Sequence, residues 1–389
     1  MNRTTITEHP VAPHTVSRGT PERIVLALQG GGALGAYQAG VYEALEEAGL
    51  LPDWVIGTSI GAINGSVIAG NEPSERLTKL RTFWERVAYG SWSRLAVQVP
   101  PFGAQLASWM TMLGGLDGFF KPNPLALYGP HWRLGADHLG YYSSTPLVRT
   151  LADLIDFDVI NHGMCRLTVG AANVRTAEMC YFDTRDTKLD LRHVMASSAL
   201  PPAFPPIRID GQLYWDGGIL SNTPVEAVFD DHPRRSALVF VVHLWNPSGS
   251  EPSTMWEAMH RQKELQYSSR AKSHIVRQKQ IHHLRHIISE LVARLPEEVR
   301  ATKAVQELAG YGCLTQIHLV RLLAPALGPE DHTKDIDFDP ANIHARWQAG
   351  YQNTRDVLAR APWMEPVDPL EGFVLHEALE GRMTLVADG

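Results

Sequence analysis

From residue 23 onward the chain alternates short unbroken apolar runs with longer stretches whose apolar residues return every three or four positions. "RIVLALQ" (23–29) is too short for a helix, is rich in Ile, Val and Leu, and runs into glycines, so it predicts a buried strand. "AYQAGVYEALEEAG" (36–49) predicts a helix with Val41, Leu45 and Ala48 on one face and Gly49 at its C-terminal stop. "DWVIG" (53–57) is a second short strand, and "SIGAINGSVIAG" (59–70) a helix of small residues. Its glycines weaken it in isolation, so it makes sense packed closely on a sheet. Residues 74–89 predict a further helix with Ser74 as its cap. "RLTVGAANV" (166–174), "EMCYFDT" (178–184), "SALVFVVHLW" (236–245) and "QIHLVRLLA" (316–324) read as strands, and residues 342–360 as a helix. Strands alternating with helices imply a three-layer α/β/α architecture with a mainly parallel central sheet.

After Pro247 the pattern changes. Residues 251–295 form one long helical stretch with eight bases against four acids, a net +4, and Ile281, Leu284, Ile288, Leu291 and Leu295 at helical spacing. The expected organisation is a disordered lead (1–22), a main domain (23–247) and a mostly helical C-terminal extension (248–389) packed on it. Within the main domain, residues 91–130 carry only Arg94, Asp117 and Lys121 as charges among many aromatics and methionines. That composition fits a lid or acyl-chain wall, and equally an apolar insertion packed on the domain.

Charge and cysteine content narrow the function classes. A net charge of −7 over 389 residues argues against a dedicated nucleic-acid binder. Cys165, Cys180 and Cys313 have no disulfide or zinc spacing, which suits a reducing, cytoplasmic compartment. The first 23 residues lack a secretory apolar core. Residues 95–116 include Pro100, Pro101, Gln98 and Gln105, so no transmembrane helix is expected. His282 and His286 stand at i, i+4 without a third ligand nearby, so no metal is expected. No cofactor is expected either.

Three stretches carry candidate chemistry. "GGGALG" (30–35) satisfies GxGxxG between a strand and a helix and so resembles a dinucleotide fingerprint. Asp53, however, precedes the second strand instead of closing it. The other reading has backbone N–H groups converging on an anionic oxygen at a helix start. "GTSIG" places Ser59 between Gly57 and Gly61, the pattern of a serine on a sharp strand-to-helix turn whose ±2 neighbours must be small. The third is "YWDGGILSNTP" (214–224), with Asp216 before Gly217 and Gly218. No histidine lies in it or beside Ser59, so a base must come from elsewhere or be Asp216 itself.

Taken in order, these motifs resemble the patatin-like phospholipase family over about residues 24–245, as does "ASSALPPAFPPIRIDGQLYWDGG" (196–218). The later region is similar to the extension on a bacterial subset. The resemblance implies a patatin-like fold and a Ser59–Asp216 dyad, with an oxyanion hole in the loop carrying Gly30, Gly31, Gly32 and Gly35, built chiefly on the Gly31 and Gly32 amides. Ala33 and Leu34 occupy the part of the loop where many relatives carry a base, which leaves the backbone as donor. The expected activity is hydrolysis of lipid acyl esters. The expected partners are an acyl-ester lipid, peripherally a membrane surface, and a second copy of the chain. Polyester or thioester hydrolysis, and acyl-lipid binding without turnover, are the alternatives.

Overall fold

The computed structural model describes residues 22–88, 111, 113–327, 333–368, 371–379 and 382–385. Nearly all of the expected N-terminal lead, and residues 91–110 and 112 of the apolar insertion, lie outside these. The core is a ten-stranded sheet in the order β12-β11-β10-β9-β1-β2-β5-β8-β7, with β6 also paired to β5. Its centre is β1 (Ile24–Leu28), flanked in parallel by β2 (Trp54–Thr58) and β9 (Ala237–His243). Every residue of β9 is buried, as the apolar run demands of a strand covered on both faces. Beyond β2 come β5 (Arg166–Asn173), β6 (Met179–Asp183), β7 (Ile207–Ile209) and β8 (Gln212–Asp216), the last three joining antiparallel. Beyond β9, β10 (Ile317–Leu323) and β11 (Phe373–Leu379) continue in parallel, and β12 (Arg382–Leu385) closes the edge antiparallel. Residues after 248 therefore extend the same sheet. A separate two-stranded ribbon pairs β3 (Lys121–Pro122) with β4 (Tyr142–Ser143).

One face is covered by α1 (Ala36–Glu47), α2 (Ile60–Ala69) and α3 (Pro73–Arg86), with α4 (Thr145–Leu154) and α5 (Phe157–His162) beside them. The short α6 (Leu191–Ser197) follows β6, and α7 (Glu226–Phe229) precedes β9. The opposite face is crossed by α8 (Met255–Ala293), whose Ile275 joins Val25, Ala27, Val239 and Leu319 in a second apolar cluster. A Thr254–Glu257 capping box starts this helix, and α9 (Glu297–Arg300) and α10 (Lys303–Ala309) follow it. The last helix, α11 (Pro340–Arg360), returns to the first face and lies backbone to backbone on α1. A Cβ on Gly40 would stand 1.9 Å from the Trp347 carbonyl oxygen, and one on Gly350 2.0 Å from that of Tyr37.

Local expectations need three corrections. Ser74 is not a cap: α3 starts one residue earlier, at Pro73, whose fixed φ suits the first helical position. Ala48 is exposed, because α1 ends before it. On α8, Leu284 and Leu291 are exposed while His282 and His286 are buried, both directing Nε2 at the Thr315 carbonyl at 2.8 and 2.9 Å. That carbonyl precedes β10 and is satisfied by the two imidazoles. No helix among the described residues is long and apolar enough to cross a membrane.

Candidate active site

Chain order reverses at β1, whose neighbours come from residues 54–58 on one side and 237–243 on the other. The C-terminal ends of parallel strands at such a switch point form a natural crevice. There β2 turns sharply into α2 through Ser59, held at φ 56°, ψ −125°. A positive φ is unfavourable for a residue with a Cβ and survives only where the surroundings impose it. A Cβ on Gly57 would lie 2.3 Å from the Gly61 carbonyl oxygen, and one on Gly61 2.2 Å from that of Leu28. The turn therefore closes only with glycine at both positions.

The backbone of Ser59 is pinned on each side. Its amide donates to Ser197 Oγ at 3.0 Å, while that hydroxyl donates to the Gly170 carbonyl at 2.6 Å. Its carbonyl accepts from Ala62 and Ile63 at 2.9 and 3.1 Å. The half-buried Ser59 does not cap α2 with its side chain, and it lies close enough to the Asp216 carboxyl to lower that group's pKa.

Asp216 ends β8 and is only 2% exposed. Its amide donates to the Ala199 carbonyl at 3.0 Å, and its Oδ1 accepts the Gly218 amide at 2.7 Å. Gly217 and Gly218 form a short 3-10 turn directly after it. Burial raises its pKa from 3.8 to about 7, against the lowering effect of Ser59 and of the Gly218 hydrogen bond. A carboxylate so placed can accept a proton from the adjacent hydroxyl near neutral pH.

The glycine loop completes the arrangement. A Cβ on Gly30 would lie 2.9 Å from Ser59 Cβ and 2.4 Å from Asn222 Oδ1. Gly30 donates its amide to the Asn222 carbonyl at 3.2 Å, while its own carbonyl accepts Asn222 Nδ2 at 3.0 Å and Trp245 Nε1 at 2.8 Å. Residues Gly32–Gly35 form a 3-10 turn feeding α1, and Gly35 packs on Ile60 at the start of α2. Among the described residues the Gly31 and Gly32 amides have no acceptor. Their N–H groups can therefore serve an anionic oxygen.

Three residues of this framework were not singled out by sequence reasoning: Ser197, Asn222 and Gln29. The fully buried Gln29 side chain bonds the Leu244 and Trp245 amides at 2.5 and 3.1 Å and Thr223 Oγ1 at 2.7 Å. All three lie in or directly beside the stretches that carry candidate chemistry, which was their only sequence signal. His243, by contrast, is a buried imidazole whose pKa burial and neighbouring Arg321 push well below the usual value. Among the described residues neither of its nitrogens has a partner, so it does not orient the serine–aspartate pair. No group of three metal-binding side chains occurs among the described residues.

Residues 26–229 match the model described as "Patatin-like phospholipase", and residues 265–370 match a second model described as "Patatin phospholipase". Among curated relatives, "Lysophospholipase NTE1" of Meyerozyma guilliermondii is 26% identical over 208 residues, 52% of this chain and 12% of that protein. "Patatin-like phospholipase domain-containing protein 7" of Mus musculus is 26% identical over 210 residues, 53% of this chain and 13% of its own. An uncharacterized NTE family protein of Mycobacterium tuberculosis is 30% identical over 211 residues, 53% of this chain and 28% of its own. The chain thus matches only a minor part of these relatives' length. The crystal structure of VipD from Legionella pneumophila aligns at 18% identity with a TM-score of 0.38, covering 87% of this chain and 67% of that one. The first family model takes in just over half of the chain, and the protein belongs to the patatin-like phospholipase family.

Proposed function

We propose that this protein is a serine acyl hydrolase acting on lipid carboxylic esters, of phospholipase A or lysophospholipase type. The carrying observation is the strained Ser59 on a glycine-flanked turn beside the buried carboxyl of Asp216, with Gly30 against the serine Cβ. The activities in the relatives' names point to the same substrate class.

In the reading offered here, Asp216 accepts the Ser59 proton as the hydroxyl oxygen bonds to the ester carbonyl carbon. The carbonyl oxygen takes the electron pair and sits against the Gly31 and Gly32 amides, since the Gly30 amide already serves Asn222. Collapse of the tetrahedral species breaks the ester C–O bond, and Asp216 returns its proton to the leaving alcohol. Water then attacks the acyl-serine with Asp216 again as base and releases the fatty acid. A base with a pKa near the working pH suits both proton transfers. The raised pKa supplies here what an imidazole supplies in a three-member relay.

The test is fatty-acid release from phospholipid and lysophospholipid vesicles, run beside a soluble p-nitrophenyl ester. The parent should hydrolyse the lipids, and Ser59→Ala should lower the rate by about 10³-fold or more. Turnover of the soluble ester with no release from either lipid would count against a lipid substrate. An undiminished Ser59→Ala variant would remove the dyad.

A further inference from the structure

The loop that carries the Gly31 and Gly32 amides is not self-supporting. Its outer side rests on residues far along the chain, in the region after 248. The Ala33 amide donates to the Asp335 carbonyl at 2.8 Å. A Cβ on Gly32 would lie 2.1 Å from that same carbonyl oxygen, so the two backbones touch where Gly32 holds φ +55°. One carbonyl thus sets the orientation of the Gly32–Ala33 peptide, immediately after both candidate donors.

Asp335 is itself fixed from α8. Lys263 Nζ meets its two carboxylate oxygens at 2.7 and 3.0 Å. The adjacent residues repeat the tie: Lys334, just before Asp335, meets Glu264 Oε1, just after Lys263, with its Nζ at 3.0 Å, and both side chains are buried. The buried Lys334–Glu264 charges demand defined partners and geometry, and with the half-buried, two-oxygen Lys263–Asp335 contact beside them they register the segment against the helix. The other end of the loop is held in parallel fashion. Trp245, which donates to the Gly30 carbonyl, packs its ring on Tyr267 of α8 at 5.0 Å, and the Lys334 ammonium lies 5.4 Å from that indole.

We propose that the Lys263–Asp335 ion pair is a positioning device for the oxyanion loop, through which the C-terminal region sets the rate of the acyl-transfer step. This rests on the reading that the Gly31 and Gly32 amides form the oxyanion hole. Neither Lys263 nor Asp335 touches the reacting atoms. Their effect passes through the Asp335 carbonyl to the Gly32–Ala33 peptide. Oxyanion donors act by being in place before charge develops, so a small displacement lowers kcat and leaves ester binding intact.

The test compares Lys263→Met and Asp335→Asn, which break the pair and keep the backbone carbonyl, with Lys263→Arg, which can re-form it. Turnover of a soluble ester is normalised to active sites by burst titration, so that misfolded protein does not count. Affinity for a trifluoromethyl ketone, whose tetrahedral adduct places an oxyanion in the same hole, is measured alongside. The expected result is kcat lower by about tenfold to a hundredfold, KM within about twofold, and ketone affinity falling with kcat. Lys263→Arg should recover most of both. Parental kcat per active site in Lys263→Met and Asp335→Asn, or a rise in KM without loss of ketone affinity, overturns the proposal. Ser59→Ala in the same assay separates the two levels. If it is inactive while the Lys263 variants are parental, the positioning role alone fails. If it is active per mole of protein, the Ser59 acyl-transfer reading fails, and the oxyanion role of the loop fails with it.

Discussion

Asn222 holds Gly30 through both of the glycine's backbone polar groups: the Asn222 carbonyl accepts the Gly30 amide at 3.2 Å, and its side-chain amide donates to the Gly30 carbonyl at 3.0 Å. The two residues stand 192 positions apart, and their pairing locks the Asp216 turn to the glycine loop. Asn222→Ala should therefore lower kcat on a soluble ester by about tenfold or more, with a smaller change in KM. It should also cost about 1–3 kcal/mol of stability for the bond lost in a buried setting. Paired kinetics and urea unfolding check this, and a variant with parental kcat would contradict it.

Asp216 sets a pH dependence in both activity and stability. As base it works ionised, so kcat/KM should rise with pH through an apparent pKa near 7. For stability, the folded pKa of about 7 lies above the unfolded value of 3.8, so the folded chain holds this proton more tightly. The group's stabilising contribution is complete below about pH 4 and is lost as pH rises through 7. Asp216→Asn, neutral throughout, should be inactive yet more stable than the parent at pH 8, by on the order of a few kcal/mol. That margin should close towards pH 4 in thermal melts.

The backbone strain at Ser59 gives a second separation of stability from activity. Its φ of 56° persists in Ser59→Ala and is relieved in Ser59→Gly. Both variants should be inactive, and Ser59→Gly should unfold at a denaturant concentration equal to or above that of Ser59→Ala. About 1 kcal/mol is the expected order, since relief of strain outweighs the added freedom of the unfolded glycine. A glycine variant clearly less stable than the alanine one would show that the turn is unstrained.

The central strands, the elbow and the aspartate turn were legible because each is local. A five-residue apolar run cannot bury itself as a helix, and glycines at ±2 of a serine have few other uses. What could not be read was pairing across distance. Ser197 reaches the Ser59 amide from 138 residues away, and Gln29 reaches Thr223 from 194. Nothing in either segment alone names its partner. Strands β11 and β12 escaped because "GFVLHEALEGRMTLV" (372–386) carries charges and a histidine that an edge of the sheet tolerates. On α8 the helically spaced apolar residues misled at Leu284 and Leu291, which are exposed, because that stretch of the helix turns His282 and His286 inward to a carbonyl.

That same C-terminal edge should make the fold acid-sensitive. His318 Nδ1 and His376 Nε2 are 3.0 Å apart with rings nearly parallel. Burial lowers both, and His318 helps push His376 to about 4. A depressed folded pKa gives stability that is present above the unfolded value of 6.5 and lost as pH falls towards 4. His376→Gln, which retains a hydrogen-bonding partner for His318, should lose less stability than the parent between pH 7.5 and 5. Denaturant midpoints at the two pH values decide it, and equal losses would exclude the pair as a source of the sensitivity.

The most direct test of the account is to treat the protein with a fluorophosphonate and map the adduct by peptide mass spectrometry. One phosphonyl group on Ser59, formed much more slowly in Asp216→Asn, is the predicted result. An adduct on Ser197 or Ser198 in place of Ser59, or ester hydrolysis continuing with Ser59 unlabelled, would contradict the Ser59–Asp216 acyl-transfer centre.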